Sequence, residues 1–138
     1  MMPEVMTKEL GKYIQTADWK QEKHVPVIEC PDTVKKDELF TVNVTLGKEI
    51  AHPNTTEHHI RWLSLYYHAA HEKFNCEIAH FECGAHGESV EGPNKGPAYT
   101  NHSFTAFVKI SKPGTLHALA FCNIHGLWQS WKEINVLE

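Results

Sequence analysis

Leu39-Phe40-Thr41-Val42-Asn43-Val44-Thr45-Leu46 decides the fold class, because from Phe40 onward apolar and polar residues alternate without a break. Successive side chains of an extended strand point to opposite faces, so this pattern marks a strand with one face on a core and the other on solvent. Working outward, Ile60-Arg61-Trp62-Leu63-Ser64-Leu65-Tyr66-Tyr67 reads as a second strand, rich in aromatic residues. Ile78 to Cys83, Ser103 to Ile110, Leu116 to Cys122 and Trp131 to Leu137 are further strand candidates. Ser111-Lys112-Pro113-Gly114-Thr115 is a turn between two of them. Between Gly84 and Tyr99, glycines at 84, 87, 92 and 96 and prolines at 93 and 97 mark a long irregular connection. Only Val5 to Tyr13 spaces its apolar residues in helical fashion, and Gly11 weakens that short N-terminal extension. Six or seven short strands with turns between them predict an all-β, immunoglobulin-like antiparallel β-sandwich of about seven strands.

The chain has 138 residues, a length that suits a single domain over 1–138 with a core that needs no disulfide staples. Hydrophobic residues make up 41% and charged residues 22%, ordinary values for a globular protein. A net charge of -4 argues against a nucleic-acid partner, and an anionic substrate must then be drawn in by a local cation. No apolar run approaches the roughly 20 residues that cross a bilayer, so no membrane partner is expected. The Met1–Met6 stretch lacks the basic and apolar regions of a secretory signal. Four cysteines, at 30, 76, 83 and 122, include no CxxC pair, and a reducing cytoplasm in which Cys76 and Cys83 stay as free thiols is the simplest expectation.

Eleven histidines are many for this length, and several sit in turn-like contexts far upstream of the last cysteine's motif. Cys122-Asn123-Ile124-His125-Gly126 places a sulfur and an imidazole three residues apart at a strand end. His52 precedes Pro53, which biases it toward extended backbone, His58 stands just before the Ile60 strand, and His24 precedes Val25-Pro26. A sandwich gathers such loops at its ends, where residues remote in sequence meet. A soft sulfur with several imidazoles suits a transition metal, not calcium or magnesium. Four histidines and one cysteine exceed the four ligands of a structural zinc site and leave one position open on an octahedral ion, a count that fits iron.

Three stretches together, Glu22-Lys23-His24-Val25-Pro26, His52-Pro53-Asn54-Thr55-Thr56-Glu57-His58-His59-Ile60 and Cys122-Asn123-Ile124-His125-Gly126-Leu127-Trp128, closely resemble the superoxide reductases of the one-iron, neelaredoxin type. The resemblance runs from about Glu22 to the end of the chain. It implies one mononuclear iron with His24, His52, His58 and His125 as equatorial ligands and Cys122 as the axial one. Glu22 would close the sixth position in the oxidised state, and Lys23 would attract superoxide. The reaction implied is one-electron reduction of superoxide to hydrogen peroxide, with rubredoxin or a similar small donor returning the electron and a homotetramer as the assembly. The two-iron relatives carry an extra N-terminal domain with four cysteines, whereas this chain has no cysteine before Cys30.

Residue by residue, plainer readings also exist. His59 neighbours His58, but the motif selects His58, and His59 is expected to pack or hydrogen-bond. His68, His71, His80, His86, His102 and His117 match no ligand motif and read as surface or structural. Trp62, Trp128 and Trp131 read as core or site-wall aromatics, and the main-chain N–H groups of Asn123 and Ile124 as donors to the Cys122 sulfur. A blue-copper carrier commonly needs an axial methionine, and Met1, Met2 and Met6 lie far from Cys122. A zinc-braced binding module and a superoxide dismutase are the other rivals.

Overall fold

Val42, Val44 and Leu46, the inward residues of the alternating stretch, are almost wholly buried, and the strands that cover them define two sheets. The computed structural model describes residues 8–138. β1 (Val27–Glu29), β3 (Phe40–Thr45) and β6 (Ser103–Val108) form a three-stranded sheet in the order β1-β3-β6. β2 (Thr33–Lys35), β4 (Ile60–Ala69), β5 (Cys76–Glu82), β7 (Gly114–Cys122) and β8 (Gly126–Leu137) form the second, in the order β2-β8-β7-β4-β5. One buried cluster joins both sheets, with Val42, Val44 and Val108 from the first facing Leu63, Leu65, Leu116 and Ile134 from the second. The architecture is the expected β-sandwich.

The differences from expectation have local causes. β1 and β2 were not anticipated, since three residues are too few to show a period. β2 pairs with β8 in parallel, Thr33 opposite Asn135, so the second sheet is not purely antiparallel. β8 starts at Gly126, not Trp131, because Cys122 pairs directly with Gly126 across a tight hairpin. β7 starts inside the expected turn, where Gly114 pairs with Ala69. Trp131 is 55% exposed, which removes it from the core, while Trp62 stacks on Phe121. In the N-terminal extension a single 3-10 turn spans Leu10–Tyr13, and Val5 lies outside the described residues. After it, Gln15 is held on β8 through Leu127 O and the N–H of Gln129.

Register places the functional loops. Val27 at the start of β1 pairs with Thr45 at the end of β3, and Ile60 at the start of β4 pairs with Cys122 at the end of β7. The segment before β1, the β3–β4 loop and the β7–β8 hairpin therefore share one end of the sandwich. The candidate ligands lie on these three.

Candidate metal centre

Leu116, Ala118, Ala120 and Cys122 form one inward-facing row on β7, so the period that builds the core also buries the cysteine at the rim. The hairpin then needs a left-handed residue to re-enter β8, and Gly126 supplies it at φ +80°. This tight turn brings the His125 N–H to the Cys122 Sγ at 3.4 Å and the His125 Nδ1 to 3.8 Å from the same sulfur. The sulfur contact comes from His125; the Asn123 N–H, expected there, goes instead to the His59 carbonyl at 3.1 Å.

The segment before β1 is fixed by packing. Val25 and Pro26 are buried, and the Pro26 carbonyl accepts from Ser130 Oγ on β8. His24 just before them is buried and lies flat against Trp128, with centroids 4.9 Å apart and planes 17° from parallel. Glu22 Oε1 accepts from the His24 Nδ1 at 2.7 Å and from the His24 N–H at 3.2 Å. That fixes the ring so that its Nε2 stands 3.1 Å from the His125 Nδ1. Two nitrogens that ligate one ion at right angles, each about 2.1 Å from it, are about 3 Å apart.

In the β3–β4 loop, His52 is buried and its Nδ1 donates to the Pro53 carbonyl at 2.6 Å. His58 stands at the end of a turn closed by Thr55, whose Oγ1 accepts from the His58 N–H at 3.0 Å. The ligand atoms of His24, His58, Cys122 and His125 all lie within 4.8 Å of one another. His52 is outside that tightest group, with its ring centroid 4.9 Å from His24 and 4.8 Å from His58. Burial deepens from the half-exposed side at His58 and His125 to the floor at His24, His52 and Cys122.

Protonation and satisfaction both favour a metal. Burial drives the His52 pKa down to about 3, against a partial opposing pull from the Pro53 carbonyl. Burial also lowers His58, helped by His125, His24 and Lys23. Both imidazoles are then neutral near pH 7, the form that ligates. The Nε2 atoms of His52 and His58 are buried without a hydrogen-bond partner, a deficit that a cation among these rings would remove. The donor set of imidazoles and one sulfur fits a transition metal.

Glu22 is placed on the far ring nitrogen of His24. Burial raises its pKa, but the hydrogen bonds from His24 and the nearby Lys23 charge outweigh that and leave it lowered. Lys23 stands close enough to both Glu22 and His58 to depress their pKa values. His59 packs as expected, its Nδ1 donating to the Thr55 carbonyl at 2.9 Å and its ring stacked 3.4 Å from His86. His86 and His102 are buried against the ligand loop, His102 with its ring 5.8 Å from His52. Sequence reasoning missed the holding roles of Glu22, Pro53 and Thr55, since hydrogen bonds to neighbouring residues leave no periodic trace. The Pro after His52 and the Thr three residues before His58 were the available signals.

A family model described as desulfoferrodoxin matches residues 16–131. The chain belongs to this family. It is 61% identical over 120 residues to the neelaredoxin of Megalodesulfovibrio gigas, covering 87% of this chain and 92% of that one. To the superoxide reductase of Pyrococcus furiosus it is 49% identical, over 88% of this chain and 95% of that one. Among solved structures, the reduced form of the superoxide reductase (neelaredoxin) of Archaeoglobus fulgidus superposes with a TM-score of 0.82 at 46% identity, covering 89% of this chain and 98% of that one. The matched span contains all three candidate ligand segments of the family member described here.

Proposed function

We propose that this chain reduces superoxide to hydrogen peroxide at a single iron, as an oxidoreductase acting on superoxide. The observation that carries the reading is the convergence of three imidazoles and the Cys122 sulfur within 4.8 Å, with a fourth, unsatisfied imidazole beside them. His24, His52, His58 and His125 would hold the metal with Cys122, within one domain spanning 1–138. When bound, an iron that cycles between ferrous and ferric states supplies the electron that superoxide gains.

The surrounding residues prepare the site for an anion. Lys23 provides a local cation on a chain of net charge -4, which draws a small anion to this end of the sandwich. Superoxide gains one electron and takes up two protons to leave as hydrogen peroxide, and water at the half-exposed side near His58 and His125 supplies the protons. Glu22 holds His24 in the tautomer whose Nε2 is free to ligate. The same carboxylate would also be the group to ligate the metal in its oxidised state. Trp128 walls the ring of His24 and donates to the His125 carbonyl at 3.1 Å.

Rubredoxin or a similar small redox protein returns the electron. The exposure of Ile124 (60%) and His125 at the hairpin tip supports this, because it brings the centre's edge to the surface. A homotetramer is the assembly we assign, supported by large apolar side chains such as Phe107 and Trp131 left open on the sheets. No described helix is long and apolar enough to cross a membrane. With all four cysteines free, a reducing cytoplasm suits the protein.

Stoichiometry tests the reaction directly. The iron-loaded protein with excess reductant and a calibrated superoxide flux should yield one hydrogen peroxide per superoxide, with no oxygen evolved. One peroxide per two superoxides, accompanied by oxygen, would make the protein a dismutase instead.

A further inference from the structure

Two of the clustered imidazoles have their second ring nitrogen held: His24 by Glu22 and His52 by the Pro53 carbonyl. Among the described residues no hydrogen bond holds the His58 ring, and its Nε2 is buried without a partner. Beyond ring contacts with His52 and His125, the aim of that imidazole is set by its main chain. The Thr55–His58 turn is closed internally, the Thr55 N–H and Oγ1 both donating to the His58 carbonyl. An isolated turn of this kind on a loop would still pivot as a unit.

Two asparagines from remote loops prevent that. Asn123 follows Cys122 in the β7–β8 hairpin, and its side-chain amide spans His58. Its Oδ1 accepts from the His59 N–H at 2.8 Å and its Nδ2 donates to the Glu57 carbonyl at 2.9 Å. Its own N–H donates to the His59 carbonyl at 3.1 Å. Asn94 comes from the irregular connection between β5 and β6 and sits at φ +63°, a conformation asparagine tolerates better than most residues. Its Oδ1 accepts from the Thr56 N–H at 2.8 Å, its N–H donates to Thr56 Oγ1 at 3.1 Å, and its Nδ2 reaches the Glu57 carboxylate at 3.0 Å. Thr56 Oγ1 in turn donates to the His86 carbonyl at 2.6 Å, tying the turn to the same connection.

We infer that Asn94 and Asn123 are positioning residues, which clasp the Thr56–His59 segment from two sides and hold the His58 imidazole in register with Cys122 and His125. This rests on the reading of His58 and Cys122 as ligands of one metal. Asn123 links the sulfur's hairpin to the His58 turn directly, so a displacement of one loop is passed to the other. The Gly- and Pro-rich connection acquires a purpose through Asn94: it braces the ligand loop from outside. Residues that orient metal ligands typically change affinity by about 10–100-fold when removed.

The test compares the parent with Asn123→Ala, Asn123→Asp and Asn94→Ala, each loaded with iron. Three quantities are read: iron loss to a chelator, the thiolate-to-ferric absorption band, and melting temperature with and without iron. Both alanine variants should bind iron roughly ten- to a hundredfold more weakly, with the band shifted or broadened. Their gain in melting temperature on iron loading should shrink accordingly. Asn123→Asp keeps the acceptor to His59 but loses the donor to Glu57, and should fall between. Equal losses of melting temperature with and without iron, at parental affinity and with the parental band, would show only a structural role and overturn the clasp. Should Asn123→Ala fail to fold, the exposed Asn94→Ala decides by the same criteria. A parent that takes up no iron would overturn the metal reading itself, and the clasp with it.

Discussion

At the scale of single residues, the centre depends on the hydrogen bonds that aim its imidazoles as much as on the imidazoles themselves. Glu22 has one oxygen on both the Nδ1 and the N–H of His24. Glu22→Ala should therefore weaken iron binding by about tenfold, measured by competition with a chelator, without unfolding the sandwich. The cysteines separate in a similar way by environment. Burial pushes the Cys83 thiol up to about 11, with the Glu82 charge adding to the effect, whereas Cys76 is exposed. In the native protein at pH 8, iodoacetamide should label Cys76 and leave Cys83 unmodified, as mass spectrometry of the digested protein will show. Because the folded-state pKa of Cys83 is raised, its contribution to stability is complete below the unfolded value near 9 and is lost as pH rises through about 11. Sequence motifs pointed to His24, His52, His58, Cys122 and His125, and the structure brings four of them within one group and places His52 beside it. Asn94 and Asn123 left no such signal, because a polar side chain that clamps a distant turn looks in sequence like any loop asparagine.

Among the elements, the β7–β8 hairpin matters most, since Cys122 ends β7 and His125 is the last of the three residues that connect it to β8. Its re-entry depends on Gly126 at φ +80°, where a Cβ would meet nothing within 4 Å. Gly126→Ala should then cost about 1 kcal/mol from backbone strain alone, read as a shifted urea midpoint. Gly114→Ala should cost more, because its Cβ would run into the His68 carbonyl oxygen and come within 2.8 Å of the Ala69 Cα. The strands were legible where the alternation was long: Phe40–Thr45 lies wholly within the stretch expected from the pattern. Its limits were less so. The boundaries of β7 and β8 are set by cross-strand pairing at Gly114 and Gly126, and β1 and β2 are held by their partners rather than by a pattern of their own.

For the whole molecule, the sandwich supplies a rigid frame whose register delivers three loops to one end, and composition alone could not say which end. The role proposed for Lys23 belongs to this scale, as a local cation set against a net charge of -4. Lys23→Ala should keep its iron but capture superoxide roughly threefold to tenfold more slowly at low ionic strength, with the gap closing as salt screens the attraction. Stopped-flow rates across a salt series would show it. The most direct test of the centre is the metal content and visible absorption of the purified protein before and after oxidation. About one iron per chain, with a thiolate-to-ferric band that appears on oxidation and is absent from Cys122→Ser, is the expected result. Stoichiometric zinc, and no colour after iron reconstitution, would contradict it.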